Sequence, residues 1–203
     1  KHIYGIRGGE TYLQNFDQFI ENINRLLSEN EILETLIHAQ ALLNSHKIQI
    51  EQYCGFLTHT DFVPHNIRIH GEDIYLLDHS SLTFGNKYEG WARFINFMTL
   101  YNPPLQRALE KYVHDNRTPE ESVSLRMMRI YRLGEILWYY VRARSKSTGD
   151  LHTLNERRIY FWKSVLDAVI SGREVPEEII QKYRDARDSL RSNDERQRQQ
   201  GLH

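Results

Sequence analysis

The stretch from His59 to Ser81, HTDFVPHNIRIHGEDIYLLDHSS, sets His59, Asp61, Asn66 and Asp78 into an otherwise apolar, β-prone run. Ile67-Arg68-Ile69 and Ile74-Tyr75-Leu76-Leu77 flank His70-Gly71-Glu72-Asp73, whose Gly71 and Asp73 suit a tight turn, so the pattern predicts a small hairpin. Pro64 between Asp61 and Asn66 predicts a rigid loop ahead of it. A hairpin with Asn66 at its start and Asp78 after its last strand brings those two side chains to the same end, where one cation can be shared. Phosphoryl transfer needs an aspartate near the acceptor hydroxyl and oxygen ligands holding Mg²⁺ against nucleotide phosphates. Asp61, Asn66 and Asp78 are of those chemical types. An isolated Asp and Asn would read as ordinary loop capping; the hairpin and Asp78 tip the balance.

Around this β-rich island the periodicity is helical. Phe16, Phe19, Ile20, Ile23, Leu26 and Leu27 form one stripe, and Ile32, Leu33, Leu36, Ile37, Gln40 and Leu43 a second. Trp91, Phe94, Ile95 and Met98 predict a helix that Pro103-Pro104 stops. Two sequences read as capping boxes, Thr118-Pro-Glu-Glu121 and Thr153-Leu-Asn-Glu156. The helix after the first is expected to bury Val123, Met127, Ile130, Trp138 and Val141. The helix after the second is expected to bury Ile159, Trp162, Val165, Leu166 and Val169 and to close at Ser171-Gly172. From Pro176 a charge-balanced segment with Ile179, Tyr183, Ala186 and Leu190 on one stripe predicts a surface helix running into a disordered tail. The fold class expected is mainly α with a small β-hairpin.

Composition narrows the partners. With 26 Lys+Arg against 27 Asp+Glu among 203 residues, no basic excess steers the chain to nucleic acid or anionic lipid. No apolar run approaches the length of a membrane helix, so no membrane partner is expected. Cys54 is the sole cysteine; it is expected to be buried and inert, and it points to a reducing, cytoplasmic setting. Four histidines, His59, His65, His70 and His79, raise a zinc site, but their spacing fits no common structural pattern and Cys54 has no second thiolate.

In motif and order, HTDFVPHNIRI followed by IYLLDHSS resembles the catalytic segment of the aminoglycoside phosphotransferase and choline kinase-like family, which reads H-G-D-x-H-P-x-N, a hairpin, and an apolar strand ending in Asp. The similarity runs from about Ile32 to Ala92. It implies the helical carboxy-terminal lobe of a protein kinase-like (α+β) fold. Asp61 matches the catalytic aspartate, His59 the histidine that braces the loop, and Asn66 and Asp78 the Mg²⁺ ligands. ATP or GTP is the implied donor, and a hydroxyl of an aminoglycoside-like, sugar or amino-alcohol small molecule the acceptor. No Gly follows the residue after Asp78 and no A-P-E is present, so a protein-kinase reading is disfavoured.

Thr60 stands where the family has Gly, Val63 where it has His, and His65 where it usually has Gly. His65 is then the nearby imidazole that can replace the one missing at 63. The segment FGNKYEGWA resembles the family's G-D-P-x-Y-D-L-A only loosely. Lys1 to Asn15 does not hold the family's β-rich amino-terminal lobe with its phosphate-contacting Lys. The expectation is therefore a carboxy-terminal lobe over 1–175, with catalytic loop and hairpin at 57–78 and acceptor-pocket helices at 88–172. A charged helix and tail follow at 176–203, the amino-terminal lobe is a missing partner, and the chain alone is inactive. A catalytically degenerate lobe that binds a ligand or partner is the competing function; Thr60 and Val63 lean toward it, and intact Asp61, Asn66 and Asp78 lean against it.

Overall fold

The structure, a computed structural model, describes residues 6–27 and 29–191. It forms two compact units. Among the described residues, one is built from Ile6 to Asp17 and from His38 to Arg132, the other from Gln18 to Leu27, Glu29 to Ile37 and Leu133 to Arg191. The first unit holds all four residues singled out in the His59–Ser81 stretch. The expected disordered tail, residues 192–203, lies outside the described residues.

Helices dominate, as the periodicity predicts. α1 (Gly9–Leu26) and α2 (Asn30–Ser45) carry the two amino-terminal stripes; Phe16, Ile23, Ile32, Leu36 and Leu43 are buried, whereas Leu26 and Ile37, expected on the same faces, are exposed. A short α3 (Lys47–Gln52) leads into β1 (Phe56–His59). The expected hairpin forms as β2 (Ile67–His70) and β3 (Asp73–Leu76), paired antiparallel with Ile69 opposite Ile74. Gly71 at φ 62° occupies the first of its two turn positions, where two-residue hairpin turns favour a residue free to take positive φ. A second sheet, unforeseen in the sequence, pairs β1 with β4 (Leu82–Gly85), His59 opposite Leu82.

The first unit continues with α4 (Glu89–Tyr101), α5 (Pro103–Asn116) and the start of α6 (Pro119–Arg144). Pro103-Pro104 ends α4 as expected, but it also opens α5. Proline at the first helical position has no N–H to lose, and the Asn102 side chain accepts from Leu105 N at 3.1 Å. The Thr118 capping box is made in both directions: Glu121 N donates to Thr118 Oγ1 at 3.2 Å, and Thr118 N to Glu121 Oε2 at 3.0 Å. Along α6, Met127, Ile130 and Val141 are buried, whereas Val123 and Trp138 are half-buried.

In the second unit α7 (Gly149–Ser171) packs with α8 (Glu177–Leu190), where the Phe161 and Tyr183 rings stack at 4.4 Å. The Thr153 capping box is not formed. α7 starts a turn earlier, after Thr148, and the Thr153 hydroxyl donates back to Gly149 O at 3.4 Å as an interior residue. The helix does close at Gly172, whose φ of 63° is the left-handed cap. Ile159, Trp162, Val165, Leu166 and Val169 are all buried. No described helix is long and apolar enough to cross a membrane.

Candidate active site

The pairing of β1 with β4 turns everything between His59 and Leu82 into one excursion from a two-stranded base. His59, at the end of β1, is buried, and its Nε2 lies 2.9 Å from Leu77 O and 3.0 Å from Asp78 O. Both partners are acceptors, so Nε2 carries the hydrogen and the ring straps the segment after β3 to the end of β1. Nδ1 is buried without a hydrogen-bond partner. Thr60 adds to the same closure: its N–H and hydroxyl both donate to Ser81 O, at 2.9 and 3.1 Å.

Asp61 sits in the turn that follows. The Asn66 side-chain amide donates to Asp61 O at 2.9 Å and to Asp61 Oδ2 at 3.1 Å, which closes the Pro64 loop onto the aspartate. With its nitrogen so engaged, Asn66 keeps Oδ1 as the atom available to a cation. Leu77 N donates to Asn66 O at 2.8 Å, extending the β2–β3 ladder by one pair. Asn66 is thereby adjacent to the residue before Asp78, and the two ends of the hairpin meet as the sequence pattern requires.

Asp78 is the one non-glycine residue with positive φ among the described residues, at φ 57° and ψ 60°. Aspartate tolerates that region better than most residues, but the conformation still carries strain of the kind that collects at functional sites. Its carboxylate is exposed and accepts from Ser80 Oγ at 2.5 Å and Ser81 Oγ at 2.6 Å; these hydroxyls hold its pKa below the usual carboxylate range. It is therefore an ionised oxygen donor at neutral pH.

Two groups that sequence reasoning missed complete the site. Arg93, on α4, places Nε 3.1 Å from Asp61 Oδ1. α4 reaches this position because Gly90 lets it lie against β1. Gly90 N donates to Thr58 Oγ1 at 3.2 Å, and a Cβ at position 90 would stand 2.9 Å from His59 O. His65, the imidazole expected to compensate for Val63, is exposed with its ring edge-on to Phe97, and Val63 is fully buried.

The second is Glu89, in the first turn of α4 and wholly buried. It receives Arg7 Nη2 at 2.9 Å, Arg132 Nη1 at 3.3 Å and the Tyr12 hydroxyl at 2.7 Å, and that hydroxyl accepts from Asn86 N at 2.8 Å. Burial and the adjacent carboxylate push the Tyr12 phenol well above its ordinary pKa. The Asn86 side-chain amide donates to Ile50 O and Ser124 Oγ, both at 2.9 Å. The segment with only a loose motif resemblance is thus a buried polar hub that anchors α4. Nothing in Asn86-Lys87-Tyr88-Glu89 separates it from a surface turn; the apolar flank of Trp91 and Ala92 is the available signal.

Cys54 is half-buried, donates to Ile50 O at 3.2 Å, and burial pushes its thiol up to about 12, which leaves it unreactive at neutral pH. Among the described residues no group of three or more His, Cys, Asp or Glu side chains is arranged to hold a metal ion. Asn66 Oδ1 and the Asp78 carboxylate are each hard oxygen donors of the chemical type that Mg²⁺ takes beside phosphates and water. No family model, no curated protein and no solved structure matches the chain.

Proposed function

We propose that the first unit carries the phosphoryl-transfer site of a cytoplasmic small-molecule kinase, acting on a hydroxyl acceptor with ATP or GTP as donor. The observation that carries this reading is the double role of Asn66: its side-chain amide holds Asp61 while its backbone joins the hairpin end beside Asp78. Asp61 is the group to take the acceptor's proton as the hydroxyl oxygen bonds to the γ-phosphorus and the bond to the nucleoside diphosphate breaks. Asn66 and Asp78 are the residues to hold Mg²⁺, which supplies charge neutralisation at the phosphate oxygens. His59 positions Asp78 through the backbone, and the buried hub around Glu89 positions Arg93 through α4.

Protein carrying this chain together with a nucleotide-binding lobe provides the test. Asp61→Asn is expected to lower kcat by about 10²–10⁴-fold with little change in acceptor KM, since the lost contact matters chiefly in the transition state. Asp78→Ala is expected to raise the Mg²⁺ and nucleotide concentrations needed together. Wild-type kinetics in both variants would return Asp61 and Asn66 to loop capping. One observation favours the competing reading of a non-catalytic binding module: Asp61 already has a cation, Arg93, on one oxygen. In that case neither nucleotide nor Mg²⁺ alters the protein's stability.

A further inference from the structure

A cavity of about 290 Å³ is lined by Phe62, Ile67, Trp91, Phe94, Ile95 and Leu109. Phe62 follows Asp61 and Ile67 follows Asn66 in the chain, so one wall consists of the immediate neighbours of the residues assigned the chemistry. α4 and α5 supply the others. All six lining side chains are apolar. The Phe62 and Phe94 rings meet at 5.5 Å, tilted by 38°, and Trp91, 36% exposed and stacked on Tyr112, gives the cavity a solvent side.

The charges of the same two helices decide what can enter. Glu89 is buried under Arg7 and Arg132, Glu110 is bound by Arg129 and Gln106, and Asp115 pairs with Lys111 and His114. A polyammonium acceptor finds no uncommitted carboxylate among these, and the charged side chain standing at Asp61 is the cation Arg93. Size adds a bound: a dry apolar cavity of about 150 Å³ takes benzene, so roughly twice that volume suits a fused two-ring or alkyl-aryl group.

Resting on the phosphotransferase reading, we propose that this cavity holds the apolar body of the hydroxyl acceptor, making the substrate class neutral alcohols with an aromatic or alicyclic group rather than polycationic aminoglycosides. The 203-residue chain is titrated calorimetrically with naphthylethanol and, separately, with neomycin. Naphthylethanol is expected to bind saturably and at least about tenfold more tightly than neomycin, and Leu109→Trp, which fills the cavity, to weaken it by about tenfold or more. Trp91→Leu, at a partly exposed position, removes one wall and gives the same weakening if Leu109→Trp fails to fold. Neomycin binding as tight as naphthylethanol, or naphthylethanol affinity unchanged in the folded variants, would overturn the assignment. Phosphoryl transfer in the two-lobed protein separates the two levels. Transfer to neomycin and to no apolar alcohol leaves the kinase reading standing and sinks this one. A bound naphthyl probe with no transfer to any alcohol sinks the kinase reading itself, and the acceptor role of the cavity with it.

Discussion

Arg93 Nε and Asp61 Oδ1 stand 3.1 Å apart, opposite the Asn66 amide at Asp61 Oδ2, so the carboxylate is gripped through both oxygens. The pair is partly open to water, with Arg93 24% and Asp61 35% exposed. Solvent screening holds the net worth of such a pair to about 1 kcal/mol or less. What the contact fixes is the direction of the carboxylate.

Arg93→Gln is therefore expected to change the unfolding free energy by less than about 1 kcal/mol while loosening Asp61. Urea unfolding measures the first effect, and the line width and shift of the Asp61 side-chain carbonyl in NMR measure the second. A loss above about 2 kcal/mol would mean that the ion pair is a structural element of the unit rather than an orienting one.

Gly90→Ala tests how α4 is seated. The added methyl meets His59 O at 2.9 Å, a backbone atom of β1 that has no side-chain freedom to yield. The expected cost is about 1–3 kcal/mol, the usual penalty of overpacking, together with loss of the Arg93–Asp61 contact. Thermal unfolding checks the first. An unchanged midpoint would show that α4 and β1 separate freely.

Tyr12→Phe removes one hydroxyl and two hydrogen bonds: the donation to Glu89 Oε2 and the acceptance from Asn86 N. Asn86 is fully buried, so its N–H is left without a partner at an expected cost of about 1–3 kcal/mol. Glu89→Gln leaves the part-buried Arg7 and the buried Arg132 facing an uncharged group and is expected to cost more, about 3–5 kcal/mol. Chemical denaturation of the two variants ranks them, and the opposite ranking would overturn this account of the hub.

Glu121 gives the acid limit its sign. The Lys87 ammonium at 2.5 Å, then the Tyr88 hydroxyl at 2.7 Å and Thr118 N, hold its carboxyl down at about 2, against an ordinary value of 4.5. A carboxylate depressed in the folded state contributes stability that is fully present above its unfolded pKa and is lost as pH falls through the folded one. Stability is thus expected to decline between about pH 4.5 and 2, and Glu121→Gln to flatten that part of the slope. Unfolding midpoints measured across this interval decide it; an identical slope in the variant would assign the acid sensitivity to other carboxylates.

Much of this fold is legible where local pattern and packing agree. The stripes of α1 and α2, the Thr118 cap and the Gly172 stop each follow from residues within a few positions of one another. Legibility fails where the partner is distant or the signal is shared. Phe-Leu-Thr-His and Leu-Thr-Phe-Gly are too short and mixed to announce strands, and only their mutual pairing, across the whole hairpin, makes them β1 and β4. Thr153 and Glu156 carry the letters of a capping box, yet Thr148 and Gly149 start the helix first. At the site, the hairpin and the meeting of Asn66 with the Asp78 end were readable because register is a local property. Arg93 was not, since its role depends on a helix brought against β1 by a glycine.

On the proposed phosphotransferase reading, the left-handed backbone at Asp78 sets folding and chemistry against each other at one position. Glycine there would relieve the φ strain, at about 1 kcal/mol, while discarding the carboxylate and its two serine partners. A library randomised at that codon and sorted for heat tolerance alone should admit glycine and asparagine, whereas one sorted for phosphoryl turnover should hold aspartate. Divergence of the two populations at position 78, with agreement at the neighbouring Leu77, would mark this residue as kept for what it does rather than for the shape it takes.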